Sequence, residues 1–139
     1  MTLREPTAAT APVGVPVKTG PIAALARGFA GAFQTEGRAS RREYWWFVVL
    51  TSVVITAVVL VELQLGGAGW VTALVVLVVL APSISVCVRR LHDAGYSGWW
   101  YWIQLLPFVG GFWLFILLIQ PSQRLRNRFG AGPEDHKLL

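Results

Sequence analysis

Charge is scarce in this chain. Only 14% of its 139 residues are Asp, Glu, Lys or Arg, against roughly 25% in an ordinary soluble domain. The deficit is concentrated: residues 44–65 carry one charge, Glu62, and residues 70–88 and 97–120 carry none. Cysteine is limited to Cys87, which excludes an intrachain disulfide and a cysteine-based zinc site. At the end of an apolar run that thiol reads as a small core hydrophobe. Histidine is limited to His92 and His136, too few for a mononuclear or dinuclear metal centre. Gly66, Gly67 and Gly69 have no lysine beside them, and no Ser-His-Asp arrangement stands out, so neither a phosphate-cradling loop nor a hydrolase triad is expected. The first 30 residues lack a continuous apolar core followed by a small-residue cleavage site, and no signal peptide is expected. These absences leave no cofactor, no metal and no enzymatic reaction to predict.

What is present is apolar length. Twenty residues of helix cover about 30 Å, the hydrocarbon thickness of a bilayer, and each of the three uncharged stretches is long enough to cross it. The fold class expected is an all-α, polytopic transmembrane bundle. The net charge of +5 does not imply nucleic acid, because the 12 basic residues stand beside the apolar runs and leave no soluble basic domain to hold a duplex.

The chain divides accordingly. Residues 1–20, with prolines at 6, 12 and 16, show no apolar periodicity and read as a disordered tail. Pro21 suits the start of a short helix within 21–36, where Ile22, Leu25, Phe29 and Phe33 form a stripe at helical spacing. Such a helix either lies on the membrane interface or packs as a stub on the first span. Residues 37–133 form the multi-span domain and 134–139 a C-terminal tail. Ser40 and Glu43 have capping-box spacing. Arg38, Arg41 and Arg42 suit the headgroups, and Tyr44, Trp45 and Trp46 the aromatic belt. A first span then runs to about Leu65, with Glu62 able to reach the far interface. A second runs from Trp70 to about Val88, kinked at Pro82, with Ser83 and Ser85 near enough to serve the freed backbone groups.

Lys and Arg accumulate on the cytoplasmic side of a membrane. Six of them precede the first span, the 66–69 turn has none, and Arg89 and Arg90 follow the second span. The N terminus and the 89–96 segment are therefore predicted inside. Ser97 to Gln120 is 24 residues, enough for one tilted helix and short for two crossings. A single crossing would put Arg124, Arg126, Arg128 and Lys137 outside, against the charge rule. Pro107-Phe108-Val109-Gly110-Gly111 instead favours a broken or re-entrant third segment that returns the C terminus inside.

Helical continuation through 87–96 would place Arg89, His92, Asp93 and Tyr96 on one face, Arg89 pairing with Asp93 and His92 beside Tyr96. Gly95 would end that helix and Ser97 cap the next. With Arg38, Arg41, Arg42, Glu43, Arg90, Asn127 and Arg128 facing the same compartment, a polar cluster drawn from three segments is expected at one membrane surface. Its plainest role is to anchor span ends and loops, or to bind anionic headgroups. His92 can also change charge near neutrality.

Segment Gly37 to Trp46, then Arg89-Arg90-Leu91-His92-Asp93 with Ser97-Gly98-Trp99-Trp100, then Pro107, then Asn127-Arg128-Phe129-Gly130 with Pro133, together resemble the domain-of-unknown-function family 805. The likeness covers roughly Phe33 to Pro133. It implies a small multi-span helical protein of the bacterial inner membrane and brings no established activity or catalytic residue. The proline-rich extension and the stretch Gln120-Pro121-Ser122-Gln123-Arg124-Leu125-Arg126, in place of a more glycine-rich approach, depart from the family pattern. The functional reading is a non-enzymatic membrane module whose arginine-rich boundary binds anionic lipid or a protein partner. A small oligomeric transporter or channel subunit, acting through Glu62, is the alternative. A lipid-directed enzyme would rest on His92 and Asp93 alone.

Overall fold

The computed structural model describes residues 20–123 and 127–130, and all its named elements are helical. The tails expected over 1–20 and 134–139 lie outside the described residues, Gly20 excepted, as do Arg124, Arg126, Pro133 and Lys137. Helix α1 covers Pro21–Ala30, α2 Arg41–Gln64, α3 Trp70–Asp93 and α4 Gly110–Ile119, with a 3₁₀ helix at Gly98–Leu105 between the last two. At 1.5 Å per residue, the 24 residues of α2 and of α3 each extend about 36 Å, so both can cross a membrane. Only 17% and 33% of their apolar windows are buried. Core helices of a soluble protein would be covered on most sides; these present Val53, Leu60, Leu74 and Leu77 outward, as lipid-facing helices do.

α2 begins where its cap residue predicts, with Ser40 Oγ accepting from the Glu43 N–H at 3.1 Å. α3 runs through Pro82 without interruption and five residues beyond Val88, the end read for the apolar span. Its end is a Schellman motif: Tyr96 N–H reaches Leu91 O at 2.9 Å and Gly95 N–H reaches His92 O at 3.0 Å, with Gly95 at φ 88°. The hairpin between α2 and α3 is closed by Glu62. Its carboxylate accepts from the N–H groups of Val71 (3.1 Å) and Thr72 (3.0 Å) and from Thr72 Oγ1 (2.6 Å). Gly69 at the α3 N-cap has no side chain to offer, so Glu62 satisfies those orphan donors from the neighbouring helix. The carboxylate expected to reach the far interface is at that end of the spans, held by the start of α3.

α1 packs against α2 and α3 with Ala24 and Gly28 buried, Gly28 pressed under the Phe47 ring, while Leu25 and Phe29 of the apolar stripe meet the Phe47 cluster beside them. Small residues allow backbones to approach closely, which leaves Ile22 and Phe33 exposed. Ser85 does not serve the backbone freed by Pro82; its hydroxyl lies between the carbonyls of Gly31 (2.6 Å) and Gln34 (2.5 Å) and ties α3 to the loop after α1.

The third apolar segment is broken and folds back as a hairpin. The 3₁₀ helix rises about 16 Å over eight residues and α4 about 15 Å over ten, each about half of a 30 Å hydrocarbon core. The arms turn at Pro107-Phe108-Val109, where Phe108 takes φ 66° and Val109 N–H bonds Pro107 O at 2.8 Å, a tight and uncommon γ-turn. The N–H groups of Leu106 and Gly110 are also bonded locally, and Pro107 has none to satisfy. The segment returns to its origin, since Gln123 N–H bonds Asp93 O at 3.0 Å. The core joins Cys87 and Leu91 of α3 to Leu114, Leu117 and Leu118 of α4. Tyr44 links it to a second cluster around Phe47, Val79 and Val86.

The arms touch at Gly110, where an added Cβ would lie 1.8 Å from Ile103 O, whereas one at Gly111 would meet nothing within 4 Å. Gly110→Ala should therefore cost about 1–3 kcal/mol by overpacking and Gly111→Ala less than about 0.5 kcal/mol. Equilibrium unfolding in mild detergent reads the difference, and equal effects would contradict the close packing of the arms.

Candidate functional site

Asp93, the last residue of α3, has no exposed side-chain surface, and neither have Arg38 and Arg90, which both bind it. Arg38, in the loop before α2, approaches Oδ1 with Nε at 3.0 Å and Nη2 at 2.9 Å. Arg90 donates Nη1 to Oδ2 at 2.8 Å, and the Ser122 hydroxyl donates to that same oxygen. Both guanidiniums also donate to backbone carbonyls. Arg38 reaches the carbonyls of Asp93 and Gln123, while Arg90 reaches Leu118 O at 3.1 Å and Gln120 O. Leu118 lies in the last turn of α4, where carbonyls lack intrahelical partners and cations are favoured. Arg90 thus caps α4 while it pairs with Asp93. One carboxylate joins the loop before α2, the end of α3 and the exit from the hairpin.

A second two-to-one cluster lies beside it. Glu43 stands between Arg27 of α1, at 3.5 Å, and Arg89 of α3, at 3.6 Å. Arg89 Nε and Nη2 and Arg27 Nη2 are buried without a hydrogen-bond partner among the described residues. The loop before α2 is also fixed by Ala39 N–H bonding Arg89 O at 3.0 Å. The expected Arg89–Asp93 pair is therefore corrected: Arg90 takes Asp93 and Arg89 takes Glu43. Neighbouring residues on a helix point about 100° apart, and only the Arg90 direction meets the α4 exit.

His92 and Tyr96 also part company. The His92 ring stacks on Phe129, with centroids 3.9 Å apart and planes 5° from parallel, and the Arg128 guanidinium carbon sits 4.6 Å from the Phe129 centroid. Tyr96 turns into the core and meets Trp100 edge-on at 6.5 Å. Asn127-Arg128-Phe129-Gly130 is a tight turn in which Asn127 and Gly130 exchange backbone hydrogen bonds of 3.1 and 3.0 Å. The Asn127 amide nitrogen pins the turn to His92 O at 2.8 Å and to Gln123 Oε1 at 3.0 Å, and Asn127 Oδ1 accepts from Phe129 N–H at 2.9 Å. Arg41 and Arg42 stand outside both clusters, at the start of α2, with no ion pair or hydrogen bond of their side chains among the described residues. Sequence reasoning missed Arg27, Ser122 and Gln123 as partners. The only signal was the polar stretch Gln120-Pro121-Ser122-Gln123 at the foot of an uncharged segment. Among the described residues no group of three or more His, Cys, Asp or Glu side chains could hold a metal ion.

The architecture defines an integral membrane protein with two membrane-length helices and a short apolar hairpin. A family model for proteins of unknown function, DUF805, matches residues 32–131, and the chain belongs to that family. The inner membrane protein YhaH of Escherichia coli (strain K12) is 36% identical over 105 residues, covering 70% of this chain and 85% of YhaH. The inner membrane protein YhaI of the same strain is 31% identical over 99 residues, covering 70% of this chain and 84% of YhaI. The uncharacterized protein YiiR is 31% identical over 81 residues, covering 55% of this chain and 53% of YiiR. No solved structure matches.

Breaking a buried ion pair by removing one partner costs about 3–5 kcal/mol. Asp93→Asn, which keeps the shape and removes the charge, should lose that much stability in detergent. Arg89→Gln leaves Glu43 paired with Arg27 and removes buried nitrogens that have no hydrogen-bond partner among the described residues, so it should lose clearly less. Comparable losses from the two variants would deny Asp93 its central place.

Proposed function

We propose that this protein is a non-enzymatic membrane module with its N terminus in the cytoplasm, whose arginine-rich inner boundary binds anionic lipid headgroups. In this reading α2 and α3 are the two spans, the 66–69 turn is outside, and the hairpin dips into the inner leaflet so that the C terminus also lies inside. The charge distribution supports it: Lys and Arg favour the cytoplasmic side, and the 66–69 turn contains neither.

The observation that carries the reading is an excess of positive charge at one end. Arg27, Arg38, Arg41, Arg42, Arg89, Arg90 and Arg128 gather there against the carboxylates of Glu36, Glu43 and Asp93. Glu43 and Asp93 each stand between two arginines. Asp93 is saturated with donors, which suits a joint and not a reacting group. Headgroup phosphates are the natural counter-charge for what remains, each basic residue near an anionic surface contributing about 1 kcal/mol. The transport alternative loses its one candidate group, because Glu62 is occupied in capping α3.

Two measurements test this. A C-terminal alkaline phosphatase fusion, active only outside the cytoplasm, should be silent, and an active fusion would overturn the topology. In nanodiscs of mixed phosphatidylglycerol and phosphatidylethanolamine, the lipids around the wild type should be enriched in phosphatidylglycerol. Arg41→Gln with Arg42→Gln should lower that preference by about 2 kcal/mol, or about thirtyfold. Enrichment unchanged in the double variant would reject the headgroup reading.

A further inference from the structure

Arg41, Arg42, Trp45, Trp46 and Val49 lie along one side of the first turns of α2, and with Ile119 of α4 they line a groove of about 600 Å³. The size is in the range of sites that hold small molecules, about 300–1,000 Å³. The groove exists because α2 and α4 do not pack along their length. They are bridged where the Trp45 and Phe115 rings meet edge to face, with centroids 5.9 Å apart. One end of it is cationic and the rest is apolar. Its depth follows from helix geometry, since eight residues from Arg41 to Val49 rise about 12 Å, most of the 15 Å or so of hydrocarbon in one leaflet.

The groove is also anchored at the right level. Ile119 precedes Gln120, whose carbonyl is held by Arg90 in the Asp93 cluster at the polar end of the bundle. The arginines therefore stand at headgroup depth and Val49 stands in the acyl region. A soluble anion would have no use for the apolar wall, and a peptide arriving from the aqueous side would have to dehydrate its backbone to enter it. A phospholipid matches both ends at once.

We infer that this groove binds one anionic glycerophospholipid, its phosphate between Arg41 and Arg42 and an acyl chain along Trp45, Trp46, Val49 and Ile119. The inference rests on the headgroup reading above and adds a defined, stoichiometric site to it. Surface attraction alone would enrich many lipids weakly, whereas a groove retains one.

The test is native mass spectrometry of the full chain, purified in mild detergent with phosphatidylglycerol and phosphatidylethanolamine supplied. One phosphatidylglycerol should remain per chain. Val49→Trp with Ile119→Trp fills the apolar wall and should cut its retention about tenfold, with the nanodisc enrichment of surrounding lipid unchanged. Arg41→Lys with Arg42→Lys keeps the charge and should retain the adduct. A filled groove that holds the adduct as well as the wild type does would overturn the site and leave the headgroup reading standing. Loss of neither adduct nor enrichment in the Arg41→Gln, Arg42→Gln variant would overturn both. If the tryptophan variant does not fold, a phosphatidylglycerol with a photoreactive acyl chain is used on the wild type. It should label Val49 and Ile119 well above the exposed Val53 and Val54, and even labelling would overturn the site.

Discussion

One buried carboxylate, shared by two buried guanidiniums, is the constraint around which the rest of this fold is arranged. Removing a charge from water costs several kcal/mol per ion even after relaxation, and the cost is repaid only where every donor and lone pair finds a partner. Asp93 meets that condition with Arg38, Arg90 and Ser122 on its two oxygens and Gln123 on its carbonyl. Those partners lie 55 residues before it, three before it and 29 to 30 residues after it. No local structure could supply them together. The chain must bring the loop before α2 and the foot of α4 to the end of α3, and that requirement closes the bundle.

The hairpin follows from the same constraint. Arg90 needs the carbonyls of Leu118 and Gln120, so the segment that leaves α3 at Gly95 must come back within about 25 residues. Full crossings in both directions would take about 40 residues. The segment therefore turns back midway, through a proline without an N–H, a γ-turn at Phe108, and arms that touch across Gly110. At the other end Glu62 plays the complementary part, an acidic group placed against the positive end of α3. Each buried acid here is spent on a junction between elements.

Much of this could be read from the residues in order. The span lengths, the Ser40 cap, the Gly95 stop and the broken third segment all follow from local chemistry: apolar length, cap residues and the position of Pro107. What could not be read is which side chain faces which. Arg89 and Arg90 are adjacent and chemically identical, and helical spacing favours Arg89 as the partner of Asp93. The choice falls to Arg90 because the α4 exit lies on its side, a fact held in residues 118–123 and nowhere near 89–93. His92 is likewise drawn to Phe129 by a turn 35 residues away. The α1 stripe is divided for a related reason: Leu25 and Phe29 meet the Phe47 cluster, whereas Ile22 and Phe33 face outward beside the small residues that allow the close approach. In an apolar solvent hydrophobicity no longer marks the inside.

The electrostatic consequence reaches beyond the fold. Both buried clusters set two guanidiniums against one carboxylate, and Arg41 and Arg42 add positive charge beside them at the start of α2. In water such an excess would be screened within about 8 Å at physiological salt. At the edge of a low-dielectric slab it is screened less, and the anionic groups within reach are those of the leaflet. In the proposed topology the arginines that close the bundle are also those that orient it, because Lys and Arg are retained on the cytoplasmic face. Those turned inward hold Asp93 and Glu43, and Arg41 and Arg42 are the ones proposed to meet anionic lipid.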